Sequence, residues 1–384
     1  MEILFYFFYL LIFFYSIFCV GFSFLRIINY KSYFFLEFIT GISLIIVLSN
    51  FFYFFLNISL GEIIIFLLIY SICFSIFCFK YNLVKYFFRL ELFLIFVPIS
   101  VGVLISLFYG EQFYVFRGNH YDHTWYVANS VLIKKFRFLD YYNFFKDNNL
   151  MFVIKNLDQN LYERPAAALF MSFFLLPNFV DIFLSAFIFK FFLVSLSGLS
   201  FLYFIKIYIK QKLLDEIILF LFFCFSFWTL YIFEIDALSQ LFFLSYFIFL
   251  IRFFTELYCN NNIDKKKIIL FAINLSAGFL IYPQQFLILL LIIGIYFIFD
   301  CGKNILFFLN KNSIKILIFL FLFFLFTLPH YQATYGDFYK TFQLSTIKVD
   351  WWGYYGAFVL GRESIVLNRE FVEIVKKIIQ NYDS

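Results

Sequence analysis

Long continuous apolar runs constrain the fold of this chain more than any other feature. A helix needs about 20 apolar residues to cross the hydrocarbon core of a membrane, and several runs reach or approach that length. Because the runs are continuous and do not alternate with polar residues, they predict helices and not the strands of a membrane barrel. The predicted spans are Ile3–Leu25, Phe34–Leu56, Ile63–Phe79, Leu92–Tyr109, Val180–Ile205, Ile217–Phe233, Leu238–Phe254, Lys267–Tyr282, Phe286–Phe299 and Ile314–Leu328.

The composition agrees with a membrane protein. Of the 384 residues, 64% are hydrophobic and 14% are charged, whereas soluble globular chains are about 45–50% apolar and about 25% charged. The many Phe and Tyr residues are interpreted as an AT-rich codon bias acting on lipid-facing positions. The cysteines show no CxxC or Cys/His metal spacing, which argues against a disulfide framework and a zinc site. The first run is too long for a signal-peptide core, so it is expected to remain as a span.

Basic residues fall in alternate loops, and this pattern predicts the side of the membrane that each loop faces. Lys and Arg near the ends of spans are retained on the cytoplasmic side. Counting through the predicted spans places every basic cluster on one side and residues 110–165 on the other. The count allows one crossing between Pro165 and Lys206, so Ala166–Leu176 is expected to lie in the outer interface or dip into it. The basic clusters are Arg26/Lys31, Lys80/Lys85/Arg89, Lys206/Lys210/Lys212, Lys265/Lys266/Lys267 and Lys303/Lys311/Lys315.

The predicted fold is an all-α polytopic membrane protein with about ten transmembrane helices. Residues 1–109 form a four-span region, and residues 110–165 form a large outward loop with short surface helices. Residues 166–330 form a membrane core of about six spans, and residues 331–384 form an outward tail with an amphipathic helix. The chain is expected in the cytoplasmic membrane as a multi-pass protein with its polar chemistry facing outward. The tail is too short for a full domain, so the sequence is compatible with a fragment of a longer chain.

The sequence YDHTWYVANS, residues 121–130, opens the outward loop and holds the main candidate site. The pattern from Thr124 to Lys135 predicts a short helix along the membrane surface. Residues spaced i, i+3, i+4 and i+7 share one face of a helix. Those residues here are Asp122, Trp125, Tyr126 and Asn129.

Two interpretations of Asp122 remain open from its position. The carboxylate could cap the helix by accepting backbone N–H bonds, with Trp125 and Tyr126 as interfacial anchors. Alternatively, the carboxylate takes a proton from an acceptor hydroxyl, or binds a divalent metal ion as a cofactor.

The loop resembles that of GT-C-type membrane glycosyltransferases. In that class the first large outward loop carries an acidic residue, often as Asp-x-x-x-Tyr-x-x-x-Ala or a near variant, and Arg-Pro or Pro-Pro follows where the loop re-enters the membrane. Asp122, Tyr126 and Ala128 are followed here by Glu163-Arg164-Pro165, although Ala128 stands two residues after Tyr126 and not four. The resemblance implies a sugar donor linked to a lipid phosphate, commonly polyprenyl phosphate, transfer with inversion at the outer face, and Asp122 as the base or the metal-binding carboxylate.

Further candidates follow from the chemistry of such a donor. A departing lipid phosphate develops negative charge that needs a cation, and Arg164 offers a bidentate fork for it. The other interpretation of Arg164 is snorkelling to lipid headgroups. The remaining candidates for substrate binding are His123, Trp125, Tyr126, Glu163, Glu234, Asp236, Gln284 and Gln285.

The expected partners are the bilayer, a polyprenyl-phosphate-linked sugar and a glycan, lipid or protein acceptor. Nucleic acid is not expected, because the charges of the long loop nearly cancel. A surface-polysaccharide polymerase or ligase is the second hypothesis, with Arg117, His120, Arg164 and His330 as its residues. A transporter or flippase for a lipid-linked glycan is the third, with Lys190 as its one candidate for a charge deep in a span.

Overall fold

The computed structural model describes residues 2–30, 33–77, 83, 87–109, 122–140, 164–206, 212–234, 238–258, 265–301 and 305–328, and these residues are helical with short connections. The helices are α1 (Glu2–Ile27), α2 (Phe34–Asn50, continued by a π-helix over Phe51–Phe55), α3 (Leu60–Phe77), α4 (Leu90–Tyr109), α5 (Asp122–Lys135), α6 (Pro165–Phe174), α7 (Ile182–Ile205), α8 (Leu213–Cys224), α9 (Phe227–Glu234), α10 (Leu238–Tyr258), α11 (Lys265–Ile281), α12 (Pro283–Cys301) and α13 (Ile305–Thr327).

Within these described ranges, six helices are long and apolar enough to cross a membrane. They are α1, α2 with its π-helical end, α3, α4, α7 and α10. Helices α8 and α9 form a pair bent by 46° that would add a seventh span. The protein is therefore an all-α, multi-pass membrane protein, and the larger count of about ten spans stays a prediction.

Helix α7 lies at the centre of the bundle. In its most apolar window 89% of the residues are buried, whereas the corresponding figure for α3 is 28%. Helix α7 packs against α4 on one side and α10 on another. Its N-terminus is capped by Asp181, whose Oδ1 accepts hydrogen bonds from the backbone N–H groups of Phe183 and Leu184 at 2.8 and 3.1 Å. This capping satisfies two of the N–H groups that a helix start leaves without partners.

Helices α1 and α2 approach each other closely through two glycines. A Cβ on Gly21 would lie 1.8 Å from the backbone oxygen of Glu37, and a Cβ on Gly41 would lie 2.0 Å from that of Ile17. Small residues allow this approach in membrane helix pairs, where van der Waals packing drives association.

The end of the bundle remote from α6 carries basic residues. Helix α7 begins shortly after α6 and runs for 24 residues, or about 36 Å, to this remote end. There Lys206 forms an ion pair with Glu216 at 3.1 Å. The Glu256 carboxylate accepts a hydrogen bond from the Tyr203 hydroxyl at 3.1 Å, and Lys267 donates to the Glu256 backbone oxygen at 3.3 Å. Lys206 and Lys267 belong to two of the basic clusters that the sequence places on one side.

Candidate functional site

Helices α5 and α6 lie side by side and run parallel, close to the N-terminal end of α1. Residues later in α5 contact residues later in the α6 segment, as two parallel helices require. Ser130 donates through its Oγ to the backbone oxygen of Ala168 at 2.8 Å. One turn further on, Lys134 donates through its Nζ to the backbone oxygen of Leu175 at 2.5 Å. The alanines at the start of α6 are buried, and small side chains permit such close approach.

Every residue of α6 is buried. The helix is therefore enclosed by the rest of the protein, and the expectation that Ala166–Leu176 lies in the outer interface or dips into it stays a prediction. The two C-terminal carbonyls of α6 accept hydrogen bonds from tyrosines of α1. The Tyr6 hydroxyl donates to Phe174 at 2.9 Å and the Tyr9 hydroxyl donates to Phe173 at 2.6 Å. Carbonyls at a buried helix end need such partners.

Arg164 occupies the N-cap position of α6 and lies between two tyrosines. Its guanidinium carbon is 4.5 Å from the centre of the Tyr282 ring, and its Nη1 is 3.5 Å from the Tyr126 hydroxyl. Pro165 follows as the first residue of α6, a position that suits its fixed φ and its missing N–H. The half-buried guanidinium keeps its charge, because arginine is not deprotonated in proteins.

The two tyrosines connect Arg164 to the start of α10. Tyr126 is 3% exposed and its hydroxyl shares a hydrogen bond with the Ser239 hydroxyl. Gln240 donates through its Nε2 to the Tyr282 hydroxyl at 3.3 Å. We call Tyr126, Arg164, Ser239, Gln240 and Tyr282 the arginine cluster. It joins α5, α6, α10 and the α11–α12 junction around one fixed positive charge.

The arginine cluster brings together two of the candidates predicted from sequence, Tyr126 and Arg164. Burial of Tyr126 shows that it is not an anchor in the lipid headgroups, as one interpretation had it. Ser239 and Tyr282 were missed because nothing in their local sequence distinguishes them from other polar residues at helix ends. Tyr282 precedes Pro283 and is the one residue between helices α11 and α12.

The predicted helix Thr124–Lys135 is present as α5 and begins two residues earlier, at Asp122. The backbone of Asp122, His123 and Trp125 therefore lies in the first turn of α5, and their side chains are outside the described part of the structure. Asp122 stands four residues before Tyr126, a spacing that places both on one helix face.

The other candidates are distributed around this end of the bundle. Glu234 is the last residue of α9, with its side chain outside the description. Gln284 and Gln285 lie half-buried in the first turn of α12, directly after Tyr282. Glu163 and Asp236 lie outside the described residues, as do Arg117, His120 and His330.

Two lysines, one in α5 and one in α7, are partly or largely buried. Burial lowers the pKa of Lys134 to about 8, and the positive charge of the neighbouring Lys135 makes a smaller contribution in the same direction. Lys190 in α7 is 6% exposed, and its ammonium nitrogen lies 4.2 Å from the centre of the Phe233 ring at the end of α9. Such cation–π contacts stabilise a desolvated cation.

Chemically, the arginine cluster can hold an anion. It combines a guanidinium, two tyrosine hydroxyls, a serine hydroxyl and an amide, and such groups suit a phosphate beside a hydroxylated ligand. Among the side chains that the structure describes, no three His, Cys, Asp or Glu residues come together as a metal site. A divalent metal at Asp122 stays a prediction.

No protein-family model, no curated protein and no solved structure matches this chain.

Proposed function

We propose that the chain is a membrane glycosyltransferase that moves a sugar from a lipid-phosphate donor to a glycan, lipid or protein acceptor. The proposed reaction takes place at the outer face of the cytoplasmic membrane. The observation that carries the proposal is the position of Arg164, a charged group held between Tyr126 and Tyr282 at the start of a buried helix.

The proposed donor explains why a fixed cation would be placed at a helix end. A polyprenyl phosphate keeps its tail in the hydrocarbon and its sugar phosphate at the interface, so its site must lie near the ends of the spans. When the bond between the anomeric carbon and the phosphate oxygen breaks, the phosphate gains negative charge. A preorganised donor in a partly desolvated site stabilises that charge more than water does.

Asp122 is the proposed base. Its place in the first turn of α5, one turn before Tyr126, supports a carboxylate near the arginine cluster. As the acceptor oxygen attacks the anomeric carbon, Asp122 takes the hydroxyl proton and the lipid phosphate leaves with the bonding electrons. Attack opposite to the leaving group inverts the anomeric centre. In the alternative role of Asp122, its carboxylate would bind a divalent metal ion, which would add positive charge.

The experiment is sugar transfer by purified protein in lipid from a panel of polyprenyl-phosphate sugars. We compare wild type with Asp122→Asn and Arg164→Gln, and use Asp140→Asn as the matched control. Asp140 is an exposed acid in the segment after α5. We expect Asp122→Asn and Arg164→Gln to lose transfer by about 100-fold or more, as for a lost base or charge-stabilising group. Asp140→Asn should retain it.

Transfer that survives Asp122→Asn would return this residue to a helix-capping role and contradict the proposed base. Chelation with EDTA in the same assay tests the divalent metal ion. Folding of each variant is checked by its elution as a single species in detergent.

A polysaccharide polymerase or ligase is the second candidate, because the charge that the structure describes in the cluster is an arginine and not an acid. That class tends to rely on outward arginine and histidine residues. It predicts that Arg164→Gln abolishes joining of lipid-linked oligosaccharides while Asp122→Asn does not.

A further inference from the structure

A cleft lies between the end of α2 and the start of α3, at the same end of the bundle as the arginine cluster. Its volume is about 490 Å³, within the range of ligand pockets. Its apolar lining includes Phe52, Leu56, Ile63 and Phe66. Leu56 and Phe66 are 52% and 58% exposed, so the cleft is bordered by accessible apolar side chains.

An ion pair lines the polar part of the cleft. Arg137 Nη2 lies 2.7 Å from Glu62 Oε1, and the two side chains are 47% and 49% exposed. The second oxygen of Glu62 accepts hydrogen bonds from the backbone N–H and the hydroxyl of Ser59, both at 2.8 Å. The carboxylate is therefore held in place without Arg137, which leaves the guanidinium free to turn toward a ligand.

The arrangement matches an amphiphile at a membrane boundary. Glu62 lies in the first turn of α3, and Phe66 lies one turn further along the same face. The charged groups thus sit at the helix end, where lipid headgroups lie, and the apolar wall extends toward the hydrocarbon.

We propose that this cleft binds a phospholipid with a phosphoethanolamine headgroup. Arg137 would take the phosphate through its guanidinium fork, and Glu62 would accept hydrogen bonds from the ammonium group. A lipid with an anionic headgroup and no ammonium would leave the Glu62 carboxylate beside a phosphate, which is unfavourable. A choline headgroup has no N–H to donate.

Opening the ion pair to admit this headgroup costs little. Exposed ion pairs contribute little to stability, and each partner gains a counter-charge on the lipid. In a bilayer the acyl chains already lie in an apolar medium, so the apolar wall selects by shape and the headgroup contacts supply the preference.

The bound lipid would join α3 to the segment that follows α5. In that segment Arg137 follows Phe136, whose backbone oxygen accepts a hydrogen bond from the Tyr53 hydroxyl at 3.2 Å. Leu139 donates its backbone N–H to Asn57 Oδ1 at 2.9 Å. The proposed lipid therefore fixes the end of α5 opposite to Tyr126, and the proposal does not depend on the reaction at the arginine cluster.

Native mass spectrometry of the purified chain in detergent tests the proposal. Phosphatidylethanolamine, phosphatidylcholine and phosphatidylglycerol of one acyl composition are added singly and in pairs. We expect wild type to retain phosphatidylethanolamine several-fold better than either other lipid. Glu62→Gln should remove the preference over phosphatidylglycerol, and Arg137→Gln should lower retention of all three.

The control is the double variant Lys206→Gln and Glu216→Gln, which removes an ion pair at the remote end whose side chains are 42% and 20% exposed. It should retain phosphatidylethanolamine as wild type does. Thermal unfolding gives a second readout, because a lipid that binds the folded state raises its midpoint. Equal retention of the three lipids by wild type, or retention unchanged in both Glu62→Gln and Arg137→Gln, would overturn the proposal.

Discussion

The guanidinium carbon of Arg164 lies 4.5 Å from the centre of the Tyr282 ring, and the hydroxyl of that ring accepts a hydrogen bond from Gln240 at 3.3 Å. The ring thus holds the cation on its face and is itself held at its edge. Arg164 and Tyr282 are 118 residues apart in sequence and directly precede two different helices, α6 and α12.

The ring and the hydroxyl of Tyr282 make separable contributions. Tyr282→Leu removes the cation–π contact, worth about 0.5–2 kcal/mol, and should lower donor turnover by roughly 2- to 30-fold. Tyr282→Phe keeps the ring and loses only the Gln240 bond, so it should lose less. The measurement is kcat/KM for the polyprenyl-phosphate sugar that wild type uses. Equal losses in the two variants would show that the hydroxyl, and not the ring, positions Arg164.

Tyr126 and Ser239 should be coupled energetically across α5 and α10. Tyr126→Phe and Ser239→Ala each remove their shared hydrogen bond and should destabilise the fold by about 1 kcal/mol. The double variant should lose less than the sum. Unfolding in mild detergent checks the cycle. Ser245→Ala is the control, because this buried hydroxyl on the same helix bonds the backbone oxygen of Phe242 at 2.7 Å and should show no coupling to Tyr126→Phe.

The α1–α2 interface should not tolerate a methyl group. Gly21→Ala would place its Cβ 1.8 Å from a backbone oxygen of α2, and a backbone atom cannot move aside as a side chain can. We expect a loss of about 3 kcal/mol or more, at the upper end of overpacking costs. Gly61→Ala is the control, because no atom lies within 4 Å of its Cβ position. Thermal midpoints in detergent measure both, and a stable Gly21→Ala protein would contradict the helix packing.

Lys134 should make stability depend on pH in the alkaline range. Burial lowers its pKa from 10.5 to about 8 in the folded chain, so between these values the unfolded chain holds a proton that the folded chain has released. Stability therefore rises with pH across this window, by less than about 1.4 kcal/mol per pH unit. Below pH 8 Lys134 is charged in both the folded and the unfolded chain, so the free-energy cost of burying its charge does not change with pH.

Lys134→Met should remove this part of the pH dependence. Thermal midpoints from pH 7.5 to 10.5, taken as the difference between wild type and variant, isolate the contribution of Lys134 from that of the tyrosines. Lys206→Met, a change at a half-exposed lysine of the remote end, is the control. Parallel midpoint curves for wild type and Lys134→Met would contradict the lowered pKa.

The apolar runs predicted the main helices because membrane-spanning length and helical hydrogen bonding are tightly linked. Helix α4 was predicted from Leu92 to Tyr109 and runs from Leu90 to Tyr109. The run Ile217–Phe233 was predicted as one span, but the structure divides it after Cys224. No proline or glycine marks that break, and only the hydroxyl pair of Ser226 and Thr229 caps the second helix.

Hydropathy could not place α6, because an apolar residue buried in protein and one facing lipid look alike in sequence. Helical periodicity could identify candidate site residues that share one helix face, such as Tyr126. Ser239 and Tyr282 were not, because their contacts with α5 and α6 depend on how distant helices pack.

The hydrogen bonds from Tyr6 and Tyr9 to the end of α6 have a consequence for the order of biosynthesis. The two tyrosines precede their carbonyl partners by 168 and 164 residues. At typical rates of about 5–20 residues per second, roughly 8 to 33 s pass between the synthesis of the donors and that of the acceptors. During that interval the first helix carries hydroxyls whose final partners do not yet exist. The C-terminal end of α6 therefore gains these two partners only after the helices between α1 and α6 have been synthesised.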